Sequence, residues 1–142
     1  MDARSQAEIY RSIAGGDAFL RWFGCVPSFH DAEILGLLLE RKGISRLMVH
    51  CWNTTSRLNE LGQFIEEKHA VVTYLLDDVF DLQLEGFNHQ NVIDGLRLSP
   101  LASDLAGEPK APGFELALEH CYGLSGYIRS RGVQVDISPA SP

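Results

Sequence analysis

Apolar positions recur at two periods along the chain, and the change of period divides it. From Ser5 to Phe23 they fall three and four apart. Ile9 and Ile13, with Tyr10 and Ala14, share one stripe, the spacing of an amphipathic helix. Ser5-Gln6-Ala7-Glu8 at its start is a capping box, in which serine and glutamate satisfy each other's orphan amides. Gly15-Gly16 predicts an interruption. Asp17 is then placed to cap a second piece over 18–23, which Gly24 and Pro27 end. Phe19, Trp22 and Phe23 give this piece more aromatic bulk than a free surface helix needs, so it is expected to pack on a sheet.

After Pro27 the period becomes two and stays so nearly to the end. The aliphatic run 32–40, with Ile34, Leu35, Leu37, Leu38 and Leu39, leaves no polar side and predicts a strand buried on both faces. Lys42-Gly43-Ile44-Ser45 connects it to a strand in which Leu47, Val49 and Cys51 alternate with Met48, His50 and Trp52. Residues 53–67 are polar and mixed and read mostly as loop. A strand over 70–76 runs into Asp77-Asp78, expected as a turn. Phe80, Leu82 and Leu84 then alternate with Asp81, Gln83 and Glu85, a strand with one wet side. Further strands are expected over 92–98, 114–119, 126–130 and 133–137. Between the first two lies a proline-containing loop, 99–113, whose tip would tolerate insertion. The turns are set at Cys121-Tyr122-Gly123 and Arg131-Gly132. The sum is an α+β chain: N-terminal helices packed on a predominantly antiparallel sheet of seven to eight strands. Parallel units are excluded because no crossover helices occur.

At 142 residues this is one domain, with a helical segment at 5–23, a β-rich body at 31–137 and a frayed tail at 138–142. A chain of this size buries about two thirds of its surface on folding, enough for a core without staples. With 45% apolar and 22% charged residues it is an ordinary globular composition. Nineteen acidic against twelve basic residues give a formal charge of −7, which argues against a nucleic-acid partner. An acidic surface steers cationic partners, or serves solubility alone. Cys25, Cys51 and Cys121 are odd in number and widely spaced, with no CxxC pair, so no disulfide framework is expected. No apolar run is long enough to cross a bilayer, and the expected compartment is the cytoplasm.

Two segments concentrate polar chemistry. In Phe29-His30-Asp31-Ala32-Glu33, Asp31 and Glu33 share a face if the strand starts at Asp31, and His30 opposes them. The set permits general acid/base work, or hydrogen bonds to loop backbone that burial would otherwise leave unsatisfied. A metal would need further ligands, such as His50 or His69, and no HxH or HExxH occurs, so neither metal nor cofactor is expected. In Gly86-Phe87-Asn88-His89-Gln90-Asn91, the side chains of Asn88, His89 and Asn91 suit a polar ligand or a tight connection equally. If the two segments meet, His30, Asp31, Asn88, His89 and Asn91 form one polar patch, usable by a small-ligand binder, a metal-binding protein or a hydrolase. Asp77, Asp78, Asp81, Glu85 and Asp94 form an acidic stretch, read as a solvated face or a docking surface for a basic partner. No cysteine has a base motif beside it, and neither GxxxxGK[ST] nor GxGxxG appears.

The run Phe23-Gly24-Cys25-Val26-Pro27-Ser28-Phe29-His30-Asp31-Ala32-Glu33 and the later Leu84-Glu85-Gly86-Phe87-Asn88-His89-Gln90-Asn91-Val92-Ile93 resemble two motifs of the immunity protein 50 family of small bacterial proteins. A closing strand pair over 114–137, with Gly123 and Gly126, completes the likeness. The resemblance implies a non-catalytic cytosolic binding protein that neutralises a polymorphic toxin in the producing cell. It assigns no catalytic residue. Many delivered toxins are basic nucleases, which suits an acidic binder. Whether such a chain acts as a monomer or a dimer is left open.

Overall fold

The computed structural model describes residues 5–101 and 113–141. Helices α1 (Gln6–Arg11) and α2 (Gly16–Phe23) precede six strands: β1 (Glu33–Leu38), β2 (Ile44–Leu58), β3 (Phe64–Glu85), β4 (Val92–Pro100), β5 (Phe114–Tyr122) and β6 (Ser125–Pro139). Every strand pair is antiparallel, and the order β1-β2-β3-β6-β5-β4 closes into a barrel. The α+β, antiparallel class follows the change of period in the sequence. Most of the expected loop 99–113 lies outside the described residues, although β4 runs to Pro100. No described helix is long and apolar enough to cross a membrane.

Six strands replace the expected seven or eight because two expected turns are bends within longer strands. At Asp77-Asp78 the chain does not reverse; Asp78 takes φ 54° and the register slips between Val79 and Asp81. The other expected turn, Arg131-Gly132, lies directly across, with Asp77 opposite Gly132 and Val79 opposite Ser130. An extra residue in one strand bends and twists both. Aspartate tolerates the left-handed conformation in a bulge as well as in a turn, so composition alone does not separate the two. The slip also turns Phe80 outward, so only Leu82 and Leu84 keep the expected inner side.

Residues 53–67, expected as loop, are the far ends of β2 and β3. Their turn is tight: Asn59 Oδ1 accepts the N–H of Leu61 at 2.9 Å and of Gln63 at 3.0 Å. The tail expected from 138 is also held. Ser138 and Pro139 pair with Val71 and Ala70, and the Ala140 N–H donates to His69 O at 2.9 Å.

Leu47, Val49 and Cys51 point into the barrel with Ala70, Val72, Tyr74, Leu116, Ile128 and Val135, as their alternation predicts. Side chains fill so narrow a barrel completely. The helices close one end of it. Tyr10 stacks on Phe19 with ring centroids 4.4 Å apart, and its hydroxyl meets that of Tyr74 at 2.6 Å inside the core. The α1 cap forms at Ser5, whose Oγ accepts the Glu8 N–H. Asp17, however, is not the cap of α2. The helix begins two residues earlier because Gly15 takes φ 83° and Gly16 presses on Tyr10 O, where a Cβ would come within 1.6 Å.

The aliphatic run at β1 departs furthest from expectation. Ile34 is buried, but Leu35, Leu38 and Leu39 are exposed. A closed barrel has one inner face, and a register shift between Ile34 and Gly36 re-aims Leu35 outward.

Candidate functional site

The first polar segment forms a tight turn at the seam where β1 meets β4. Phe29 and Asp31 both take left-handed φ, 60° and 66°. Bulky residues adopt that conformation only when the surroundings over-determine it. Three contacts do so: the Ala32 N–H donates to Phe29 O at 3.0 Å, the His30 N–H to Ser28 Oγ at 3.2 Å, and the Asp31 N–H to Ile93 O at 3.0 Å. The turn buries Phe29 and Ala32 and leaves His30 and Asp31 outside. His30 Nδ1 lies 3.3 Å from Asp31 Oδ2, and its Nε2 lies 3.1 Å from Asp94 Oδ1. All three are exposed, so these contacts orient the ring more than they stabilise the fold.

Beyond His50, β1 no longer accompanies β2, and beyond Ala70, β6 no longer accompanies β3. The remaining ends of β2 and β3 therefore project as a two-stranded ribbon. Such a ribbon is marginal alone in water. Asn53 Nδ2 anchors it to the end of α2 through Phe23 O at 2.7 Å, and Lys68 lies over the Trp22 ring. Between the ribbon and the His30 turn opens a cleft of about 700 Å³, lined by His30, Asp31, Thr54, Asn59, Gln63, Phe64, Ile65, Glu66 and His69.

At the base of the ribbon two histidines meet: His50 Nε2 is 3.1 Å from His69 Nδ1. Trp52 stacks on His69 and stands edge-on to His50. Glu66 Oε1 is 3.7 Å from the other nitrogen of His69, and Glu33 sits across from His50 in the β1–β2 register. Burial lowers the pKa of His50, and the neighbouring His69 lowers it further, against a smaller opposing pull from Glu33 and Glu66. A neutral His50 fits a hydrogen bond in which one ring donates and the other accepts. The arrangement can hold and pass one proton at the cleft edge. Among the described residues no three His, Cys, Asp or Glu side chains converge as a metal site requires.

The second polar segment lies beside the first but faces elsewhere. Backbone bonds join them, the Ile34 N–H donating to Asn91 O at 2.8 Å. Asn88, His89 and Asn91 are turned into their own loop. Asn91 is buried; its Oδ1 accepts the N–H groups of Asn88 and Leu124, both at 2.9 Å, and its Nδ2 donates to Asn88 O. His89 Nδ1 rests 2.9 Å from Asn88 Oδ1. The side chains of His30 and Asp31 thus open on the ribbon cleft, while those of Asn88, His89 and Asn91 serve the connection from β3 to β4.

The acidic stretch is divided by the fold. Asp77 and Asp78 lie at the bend; Asp81 meets Arg129 Nη1 and the Tyr127 hydroxyl, each at 3.3 Å; Glu85 ends β3; Asp94 faces His30. Cys25 and Cys121 are exposed and Cys51 is buried. Sequence reading missed the ribbon and the grouping of His50, Trp52, His69 and Glu66. The available signal was the outward set Met48, His50, Trp52, whose last two members are large and polar-edged on a face that is otherwise wet. A scan against protein-family models and searches of the curated proteins and of solved structures match nothing to this chain.

Proposed function

We propose that this chain is a non-catalytic protein-binding domain, and that its partner is a basic bacterial toxin, as the likeness to immunity protein 50 proteins implies. The observation that carries the binding reading is the end of the ribbon, where Leu58, Leu61 and Phe64 stand together, 58%, 81% and 59% exposed. Leu58 and Phe64 are cross-strand partners and Leu61 caps them in the turn. Apolar side chains grouped on a projecting element and rimmed by polar ones are the usual anchors of a protein interface. Beside them the cleft presents Asp31 and Glu66, and the whole chain carries −7, which suits a cationic partner and speeds its encounter.

The test is co-expression with the toxin encoded beside the gene, paired with a binding titration. Neutralisation is expected, and Leu61→Ser with Phe64→Ser should weaken binding about tenfold or more while leaving the melting temperature unchanged. Growth that is not rescued, or binding indifferent to both substitutions, overturns the reading. A second reading, a small polar ligand in the cleft, draws on the His50–His69 contact at 3.1 Å. It expects ring-nitrogen shifts of both histidines on ligand titration, with Leu61→Ser having no effect.

A further inference from the structure

We propose that β1 is a self-association edge, along which two copies of this chain pair antiparallel about a two-fold axis. This surface lies apart from the ribbon and does not depend on the toxin-binding reading. Its register with β4 consists of Glu33 opposite Val92, and the next outward group, the Ile34 N–H, is taken by Asn91 O. From Leu35 to Leu38 the edge turned away from β2 has no hydrogen-bond partner among the described residues. Natural edges are guarded by lysine, proline or short length. This one runs Ile34-Leu35-Gly36-Leu37-Leu38-Leu39 without a charge. Leu35, Leu38 and Leu39 are 51%, 48% and 45% exposed, and Ile44 and Met48 of β2 lie on the same face, with the exposed Arg46 between them opposite Leu38. Met48 lies over Gly36, where an added Cβ would come within 2.8 Å of its terminal methyl carbon.

Charge selects a second copy as the occupant. The strand begins at an acidic end, Asp31 and Glu33, and leads through Glu40 into a basic turn, Arg41 and Lys42, with Glu40 opposite the uncharged Ile34 of the mate in the register about Leu37. Antiparallel self-pairing about Leu37 sets Leu35 against Leu39 of the other copy. It also brings each basic turn toward the acidic end of its mate. A two-fold operation repeats that complementarity on both sides, and no like charges face each other along the paired leucines. The local complementarity offsets the repulsion between two chains of charge −7.

Sedimentation of the full chain from low to high micromolar concentration, with hydrogen exchange on the same samples, tests this. The expected result is a concentration-dependent dimer, with exchange at the Leu35 to Leu38 amides slowing as dimer forms. Leu35→Lys with Leu38→Lys should weaken the dimer about tenfold or more, since two leucines lose their burial and each copy sets two charges against the apolar Leu39 and Gly36 of its mate. Both positions are exposed, so the variant should unfold at the same denaturant midpoint. Arg41→Glu, on the turn, should also weaken it, and Glu33→Arg combined with Arg41→Glu should restore it. A chain that stays monomeric throughout overturns the proposal. So does a dimer indifferent to the lysines, or one that Arg41→Glu leaves unchanged. An edge occupied only when a different protein is added excludes the second copy.

Discussion

Asn91 ties the β3–β4 connection to the β5–β6 turn with one amide. Its Oδ1 takes the N–H of Asn88 before β4, in a half-buried bond, and of Leu124 between β5 and β6, in a buried one where water does not replace it. Asn91→Ala strands the buried Leu124 donor, so a loss of about 1–3 kcal/mol is expected in urea unfolding. This residue was legible in the sequence only as one of several polar groups in a loop; its burial comes from Gly86 and Gly123, which pack backbone against backbone around it. His50 answers to pH. Its pKa is lowered from 6.5 by burial and by His69, so below pH 6.5 the unfolded chain binds more protons at this site than the folded one. The stability it contributes is complete above pH 6.5 and is lost as pH falls through the lowered value. His50→Gln should flatten that acid-side slope, read as unfolding midpoints across a pH series. Cys51 lies in the core, and burial pushes its thiol up to about 12. Native alkylation at neutral pH should therefore modify Cys25 and Cys121 quickly and Cys51 only in denaturant, as adduct masses would record.

At the scale of elements, the alternation of Leu47, Val49 and Cys51 with Met48, His50 and Trp52 was fully readable, because β2 there has one inner and one outer face. The continuation of the same strand through Asn53 and Thr54 was not. Outside the barrel neither side of a ribbon is buried, so no period of two is imposed on it. The joined halves of β3 and of β6 were illegible for another reason: a bulge and a turn draw on the same residues. The ribbon's dependence on its anchor gives a prediction. Asn53→Ala removes the 2.7 Å bond to Phe23 O and the Cys25 Sγ contact to Asn53 Oδ1. Losing about 1 kcal/mol of local restraint should speed amide exchange about fivefold over 54–66 while leaving Val49 and Val72 unchanged. Equal acceleration at Val72 would mean that the ribbon and the barrel open as one unit.

For the whole molecule, the question is how six strands close with so short a pairing between β1 and β4. Composition could not show this, and neither could periodicity, since closure depends on which edges meet. Charge was equally silent on placement: acidic residues that cluster between Asp77 and Asp94 in the sequence end at a bend, against Arg129 and against His30. The structure fills the seam with side chains. On the edge of β4 that β1 does not reach, Gln6 behaves as a strand residue: its Nε2 donates to Leu98 O at 2.7 Å, and the Leu98 N–H donates to its Oε1 at 3.1 Å. One turn later Tyr10 enters the barrel to meet Tyr74. Helix α1 is then part of the barrel wall and not an appendage on it. Gln6→Ala should cost about 1–3 kcal/mol, because it leaves both Leu98 backbone groups unpaired, and unfolding should stay a single transition. Gln6→Glu keeps the acceptor, loses the donor and should fall between the two. If Gln6→Ala instead frees the Leu98 amide to exchange with no change in the global midpoint, the wall closes without α1 and the seam must be held by the His30 turn and Asn91 alone.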